Sequence, residues 1–164
     1  MKTLYESLLD DFDELDKDVH QSAKESVMNF LIDNYKLNSK PINPDTTAIK
    51  ISDKSNKDGK YVVDIDGNLR VINLDINSLT NNIFVFGKVS GFFECCNCNN
   101  LTSLEGAPKK VGVAFYCVNC NNLTSLEGAP EKVGDNFSCF GCKTKFSKKD
   151  VEKVSNVKDK IECY

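Results

Sequence analysis

The chain of 164 residues is long enough for one modest domain with an appendage. Its composition, 40% hydrophobic and 27% charged, is that of an ordinary globular protein. The sequence has no run of about 18 apolar residues, so no transmembrane helix is expected. Its acidic N-terminus lacks the basic start and apolar stretch of a secretory signal. We therefore expect a cytoplasmic protein whose eight cysteines remain free thiols.

The net charge of −3 is distributed unevenly along the chain. Residues 1–37 hold nine acids and four bases, a local charge of −5, so the remainder carries +2. Binding of a nucleic-acid backbone requires a concentrated basic face. The one lysine cluster near the C-terminus is interpreted as a solvated surface (Lys143, Lys145, Lys148 and Lys149). Nucleic acid is therefore not an expected partner.

Residues 1–40 predict an acidic amphipathic helix, either continuous or broken near Asp16–Asp18. Apolar residues recur every three or four positions on one helical face (Leu4, Leu8, Phe12, Leu15 and Val19). The stripe continues to Tyr35, and Pro41 is expected to lie beyond the end of the helix. Two interpretations stay open. The helix covers the open end of the following domain, or it is a detachable tag that docks into a partner.

Residues 41–68 predict short strands that lead into the rest of the chain. The segments 47–52 and 61–65 are rich in β-branched residues and are joined by a polar loop. The pair Asp66-Gly67 predicts a tight turn into a third strand. We therefore expect a small antiparallel sheet at this point.

The segment 69–146 contains an internal repeat with a period of 22 residues. The sequence CCNCNNLTSLEGAPKKVG at 95–112 aligns without gaps with CVNCNNLTSLEGAPEKVG at 117–134, and CFGC continues the register from Cys139. A degenerate copy precedes these two. Repeats of this length form solenoids, in which each coil buries its apolar face against its neighbours.

The repeat predicts three interior columns of stacked side chains. One column holds phenylalanine and two hold cysteine (Phe93, Phe115 and Phe137; Cys95, Cys117 and Cys139; Cys98, Cys120 and Cys142). Phe115 and Cys117 are two residues apart, the period of a strand, so both face the interior. The same 22-residue register places Val71 in the phenylalanine column. Proline in each Gly-Ala-Pro motif argues against a regular helix on the far side of the coil.

Residues 147–164 predict a C-terminal cap. Ser147 is placed to N-cap a helix, with Asp150 at the third helical position. Val154 is expected to continue the buried face of this helix. A last short strand is expected within residues 157–163.

The motif F-x-C-x-x-C-N-N-L-T-S-L resembles the core of leucine-rich repeats, with one extra residue before the leucine. More narrowly, LTSLEGAPxKVG resembles short repeat proteins of large gut bacteriophages and of their Bacteroides-like hosts. The opening MKTLYESLLDDFDELD is similar to the start of other proteins of such phages. With the predicted elements, the resemblance implies an α+β fold. We expect a short leucine-rich-repeat-like β-solenoid with an N-terminal α-helix, a small antiparallel sheet and a C-terminal helical cap.

The three Cys-x-x-Cys pairs are open to three interpretations. Two such pairs about 20 residues apart are typical of zinc sites. A pair inside a duplicated repeat, however, recurs for that reason alone, and each cysteine here is in register with an interior column. We therefore expect buried thiols rather than zinc or disulfides, and no cofactor. Cys96 and Cys163 fall outside the columns, and Cys96 is the better candidate for a reactive thiol.

Catalytic templates fit this sequence poorly. Its single histidine, His20, lies in the acidic helix, so a cysteine nucleophile has no second histidine as base. The common phosphate-binding and hydrolase motifs are absent from the sequence. The outward strand positions instead form an apolar face, whose members are the candidate partner-binding residues (Phe92, Glu94, Tyr116, Val118, Ser138 and Phe140).

The sequence thus favours a non-catalytic protein–protein interaction module of bacteriophage origin. Its expected partner is a host or viral protein, and the module is either an inhibitor of a host-defence protein or a virion-associated component. The small core is compatible with self-association into a homo-oligomer. The competing hypothesis is a cysteine-based zinc-binding or thiol-redox protein.

Overall fold

The computed structural model describes residues 4–35, 46–53 and 55–163, with side chains from residue 16 onward except Thr46 and Thr47. The helices and strands in these ranges follow in this order: α1 (Leu4–Tyr35), β1 (Thr46–Ile51), β2 (Tyr61–Gly67), β3 (Leu69–Arg70), β4 (Phe84–Val89), β5 (Phe93–Glu94), β6 (Lys110–Val111), β7 (Phe115–Tyr116), β8 (Lys132–Val133), β9 (Phe137–Ser138), α2 (Lys148–Val154), β10 (Asn156–Val157) and β11 (Ile161–Glu162).

The strands form two sheets that the chain builds together, one coil at a time. The first sheet has the order β1-β2-β4-β6-β8-β10, and the second has the order β11-β9-β7-β5-β3. All neighbours are parallel except β1, which pairs antiparallel with β2. The result is a β-solenoid of about four turns with a period of about 23 residues. The predicted architecture of helix, antiparallel strands, solenoid and C-terminal helix is confirmed.

The repeat length is not uniform along the solenoid. Phe93 pairs with Phe115, and Phe115 with Phe137, so the central coils keep the period predicted from the sequence. At the two ends, Leu69 pairs with Phe93 and Phe137 with Ile161, so the terminal coils are each two residues longer. The prediction that Val71 lies opposite Phe93 is therefore wrong. Surface loops absorb the additional residues, so the strands keep their stacking.

Three phenylalanine rings form the centre of the core. Phe93, Phe115 and Phe137 are each 0% exposed. The first two rings are stacked, with centroids 5.6 Å apart and planes at 5°, and the third follows at 4.9 Å from Phe115. The predicted phenylalanine column is thus present. Burial of such rings supplies a large part of the free energy of folding.

The second half of α1 packs on the N-terminal end of this core. Leu31 and Tyr35 are buried, and the Tyr35 ring lies 5.8 Å from that of Phe86. Val19, by contrast, is 59% exposed, and the earlier side chains of the predicted stripe, like Pro41, lie outside the described residues. Neither helix in the described ranges is long and apolar enough to cross a membrane.

The strand that follows Gly67 does not join the antiparallel pair. Gly67 has a φ of +97°, a conformation that glycine adopts without strain. At this residue the chain turns from the first sheet into the second, where β3 pairs parallel with β5. The expected third antiparallel strand is therefore the first strand of the second sheet.

The C-terminal segment forms a helix and a further coil. Ser147 and Asp150 make the predicted capping box at the start of α2. Val154 is 37% exposed, so the prediction that it continues the buried face is wrong. The helix has only seven residues, and Val154 is the last of them. Val151 is the one residue of α2 that is buried. Two short strands, β10 and β11, then extend both sheets, where a single strand was expected.

Candidate interaction groove

The outward face of the second sheet carries a continuous row of side chains. Glu94 pairs with Tyr116, Tyr116 with Ser138, and Ser138 with Glu162. Neighbouring strands lie about 4.8 Å apart, so the row is about 14 Å long. Parallel pairing without register shifts gives this row its regular spacing.

A second row follows directly after these strands. Cys96, Val118 and Phe140 occupy equivalent positions in successive coils, and Phe140 is 39% exposed. The chain then turns at Asn97 and Asn119, which have φ values of 56° and 57°. Asparagine tolerates this left-handed conformation better than most residues.

The two rows and the asparagine turns enclose a groove of about 330 Å³, which we call the interaction groove. Its lining consists of Glu94, Cys96, Asn97, Tyr116, Val118, Asn119, Ser138, Phe140 and Glu162. Five of the six predicted partner-binding residues are among them. The sixth, Phe92, adjoins the groove, because its ring lies 6.3 Å from that of Tyr116.

The groove has an apolar centre and a polar rim. At one end Arg70 is 3.4 Å from Glu94, and its guanidinium group lies 4.7 Å from the centre of the Phe92 ring. At the other end Lys160 is 2.6 Å from Glu162. Each rim carboxylate is therefore already paired, and the groove is close to neutral.

Ser138 lies at the floor of this groove. Its side chain is 1% exposed, and within the described residues its hydroxyl oxygen has no hydrogen-bond partner. Most buried polar side chains in proteins are hydrogen-bonded, and each exception requires an explanation. Because this oxygen is itself buried, a group that enters the groove contacts the side chains that cover Ser138 and not its hydroxyl.

Sequence reasoning missed Glu162 and the two asparagine turns. Glu162 could have been found by testing a spacing slightly longer than the repeat period, since it pairs with Ser138. Asn97 and Asn119 recur at the repeat period, so the signal for a shared turn conformation was present. The position of these two asparagines in the groove depends on the backbone conformation directly after the strand, and the repeat period carries no information about that conformation.

The cysteine columns lie on the inner side of the same strands. Cys95, Cys117 and Cys139 are 0% exposed, and burial raises the pKa of Cys95 and Cys117 well above the ordinary value. The thiols of the other column each donate to a carbonyl oxygen one coil earlier (Cys98 to Val71 at 3.0 Å, Cys120 to Cys95 at 2.9 Å and Cys142 to Cys117 at 3.1 Å). The interpretation of these cysteines as buried columns is confirmed.

The two remaining cysteines differ from expectation. Cys96 is only 9% exposed, and burial raises its pKa to about 12, which argues against a reactive thiolate. The Sγ atom of Cys163 lies 3.1 Å from that of Cys139, so Cys163 extends a column and the prediction that it falls outside is wrong. His20 contacts Tyr61 of β2, with ring centroids 5.8 Å apart.

Among the side chains that the structure describes, no three Cys, His, Asp or Glu residues are arranged to hold a metal ion. All eight cysteines are free thiols. Comparison with protein-family models, curated proteins and solved structures finds no match. The features of the described residues that bear on function are therefore the interaction groove and the thiols.

Proposed function

We propose that this protein is a non-catalytic interaction module that binds a partner protein through the interaction groove. The observation that carries the proposal is the groove of about 330 Å³, whose lining includes Tyr116, Val118 and the exposed ring of Phe140. An exposed apolar patch rimmed by polar groups is typical of binding sites, and solenoid faces commonly provide them.

The chemistry of the groove defines the partner surface that fits it. Tyr116, Val118 and Phe140 offer apolar contact, and aromatic residues contribute most to interface free energy. Because Glu94 and Glu162 are already paired, we expect them to orient the partner more than to attract it. The groove therefore suits a protruding apolar side chain of the partner.

The resemblance of the repeat and of the N-terminal leader to gut-bacteriophage proteins suggests where to look for the partner. In this proposal the protein is of phage origin and acts on a host-defence protein, or joins another viral protein in the virion. The acidic first half of α1 offers a second contact, since Asp16, Asp18 and Val19 are exposed.

Affinity capture from infected host cells, followed by calorimetry with each purified candidate, tests the proposal. The groove variant replaces Tyr116, Val118 and Phe140 with Asp. A matched control replaces the exposed apolar residues Val113 and Val154 with Asp, because both lie outside the groove. Circular dichroism verifies that both variants are folded.

We expect the control to bind like the wild-type protein and the groove variant to bind at least about 100-fold more weakly. Single aromatic hot spots commonly contribute about 2 kcal/mol or more, which is already about 30-fold. Undiminished binding by the folded groove variant would show that the partner uses another surface.

A further inference from the structure

The last coil brings two thiols into contact at the C-terminal end of the solenoid. Cys139 follows β9 and Cys163 follows β11, directly after the paired residues Ser138 and Glu162. The backbone N–H of Cys139 donates to the Glu162 carbonyl at 2.9 Å, and the two Sγ atoms are 3.1 Å apart. Cys139 is buried, whereas Cys163 is only partly buried.

We propose that Cys139 and Cys163 form an oxidation site. A small disulfide such as oxidised glutathione converts the two thiols into a disulfide bond that fastens β11 to the solenoid. This inference stands on the geometry of the last coil and is independent of the interaction groove.

The strand geometry permits the bond. Residues opposite each other on neighbouring parallel strands are about 4.8 Å apart between Cα atoms. A disulfide requires a Cα separation of about 4.4–6.8 Å. The earlier pair Cys117 and Cys139 has a similar register, but Cys117 is 0% exposed and lies between two coils. Only in the last coil does the described column reach a partly exposed thiol, which a small oxidant can approach.

The contact between the two thiols also decides which of them carries the proton. Hydrogen bonds from the thiols of Cys117 and Cys163 lower the pKa of Cys139, so the contact stabilises a thiolate. Burial raises the pKa of Cys163 to about 12, so Cys163 keeps the proton in this contact. The thiolate is the reactive form in thiol–disulfide exchange. Transfer of that proton to Cys139 costs free energy, because the thiolate is favoured on Cys139, but it makes the accessible sulfur the nucleophile.

The exchange proceeds in two steps. The Cys163 sulfur passes its proton to the Cys139 thiolate and attacks one sulfur of oxidised glutathione, which releases one glutathione thiolate and leaves a mixed disulfide on Cys163. Cys139 then loses the proton to water and attacks the Cys163 sulfur, which expels the second glutathione thiolate. Two protein thiols are oxidised, and one glutathione disulfide is reduced to two thiolates.

The test uses the full-length protein, reduced and then equilibrated with defined mixtures of reduced and oxidised glutathione. Peptide mapping by mass spectrometry without reduction locates the bond. Hydrogen exchange measures the amides of Phe137 and Cys139, which donate to Lys160 and Glu162 of the last coil. Cys163→Ser is the test variant. Cys96→Ser is the matched control, because Cys96 lines the groove on the outer face of the sheet, away from the last coil.

We expect a Cys139–Cys163 bond in the wild-type protein and in the control. Oxidation is expected to slow exchange of the two amides by at least about tenfold, since the bond suppresses opening of the last coil. The Cys163→Ser variant is expected to lose both effects. A bond that joins Cys142 or Cys117 instead would overturn the proposal, as would a wild-type protein that stays fully reduced while a free dithiol in the same buffer is oxidised.

Discussion

Removal of the central ring of the phenylalanine column tests whether that column holds the solenoid together. Phe115 is fully buried, and its ring centroid lies 5.6 Å from that of Phe93 and 4.9 Å from that of Phe137. Replacement of a buried phenylalanine by alanine costs about 3–5 kcal/mol. Each aromatic contact contributes a further ~0.5–1.5 kcal/mol beyond the buried area. Because Phe115 makes two such contacts, we expect Phe115→Ala to lower the free energy of unfolding by about 5 kcal/mol.

Equilibrium urea denaturation, followed by circular dichroism, measures this loss. Phe140→Ala is the matched control, since that ring is 39% exposed and its removal is expected to cost about 1 kcal/mol or less. The free energy of unfolding of a domain of this size is about 5–15 kcal/mol, so the Phe115→Ala variant is expected to be close to unfolding in water. Equal losses for the two variants, or a loss below about 2 kcal/mol for Phe115→Ala, would refute the column as the main source of stability.

Substitutions at three further positions test the backbone and the cap. Asn119 has a left-handed φ of 57°, so Asn119→Ala is expected to cost about 1–2 kcal/mol and Asn119→Gly much less, by urea denaturation. A Cβ at Gly134 would lie 1.9 Å from the Gly112 carbonyl oxygen, so Gly134→Ala is expected to lose about 3 kcal/mol in the same assay. Hydrogen bonds from the Ser147 hydroxyl and backbone hold the pKa of Asp150 well below its usual range. That contribution is present above the unfolded pKa of about 3.9 and is lost as the pH falls toward the folded value. Asp150→Asn is therefore expected to lower the melting temperature at pH 6, and by progressively less as the pH falls below about 3.9.

The central coils were predictable because they repeat without insertions. A constant repeat period places Phe93, Phe115 and Phe137 in one column, and the strand period then decides which neighbours face inward. The outward residues of the groove follow from the same argument. Both inferences need only the register, and the register is visible in the sequence.

The ends of the solenoid were not predictable in the same way. The spacing lengthens where Leu69 pairs with Phe93 and Ile161 with Phe137, so a fixed period misplaces Val71 and Cys163. A longer loop costs little free energy, so the strands keep their pairing when two residues are inserted. An alignment at a fixed period, however, loses the correct register at the insertion. The strands that the first sheet takes from the repeats, β6 and β8, were not predicted for another reason. Each is only two residues long, too short for a periodic signal.

The cysteine columns show how position within one fold decides thiol chemistry. In the middle of the solenoid, neighbouring coils bury Cys95 and Cys117 and keep both protonated. In the second column, thiols such as that of Cys120 donate to a backbone carbonyl, so they replace part of the strand hydrogen bonding. At the last coil these constraints end, because Cys163 has no further described coil above it. The cysteine column that packs the interior therefore ends in a pair of thiols that a small oxidant can approach. In our proposal, a change in redox conditions alters the stability of the last coil through the bond between Cys139 and Cys163.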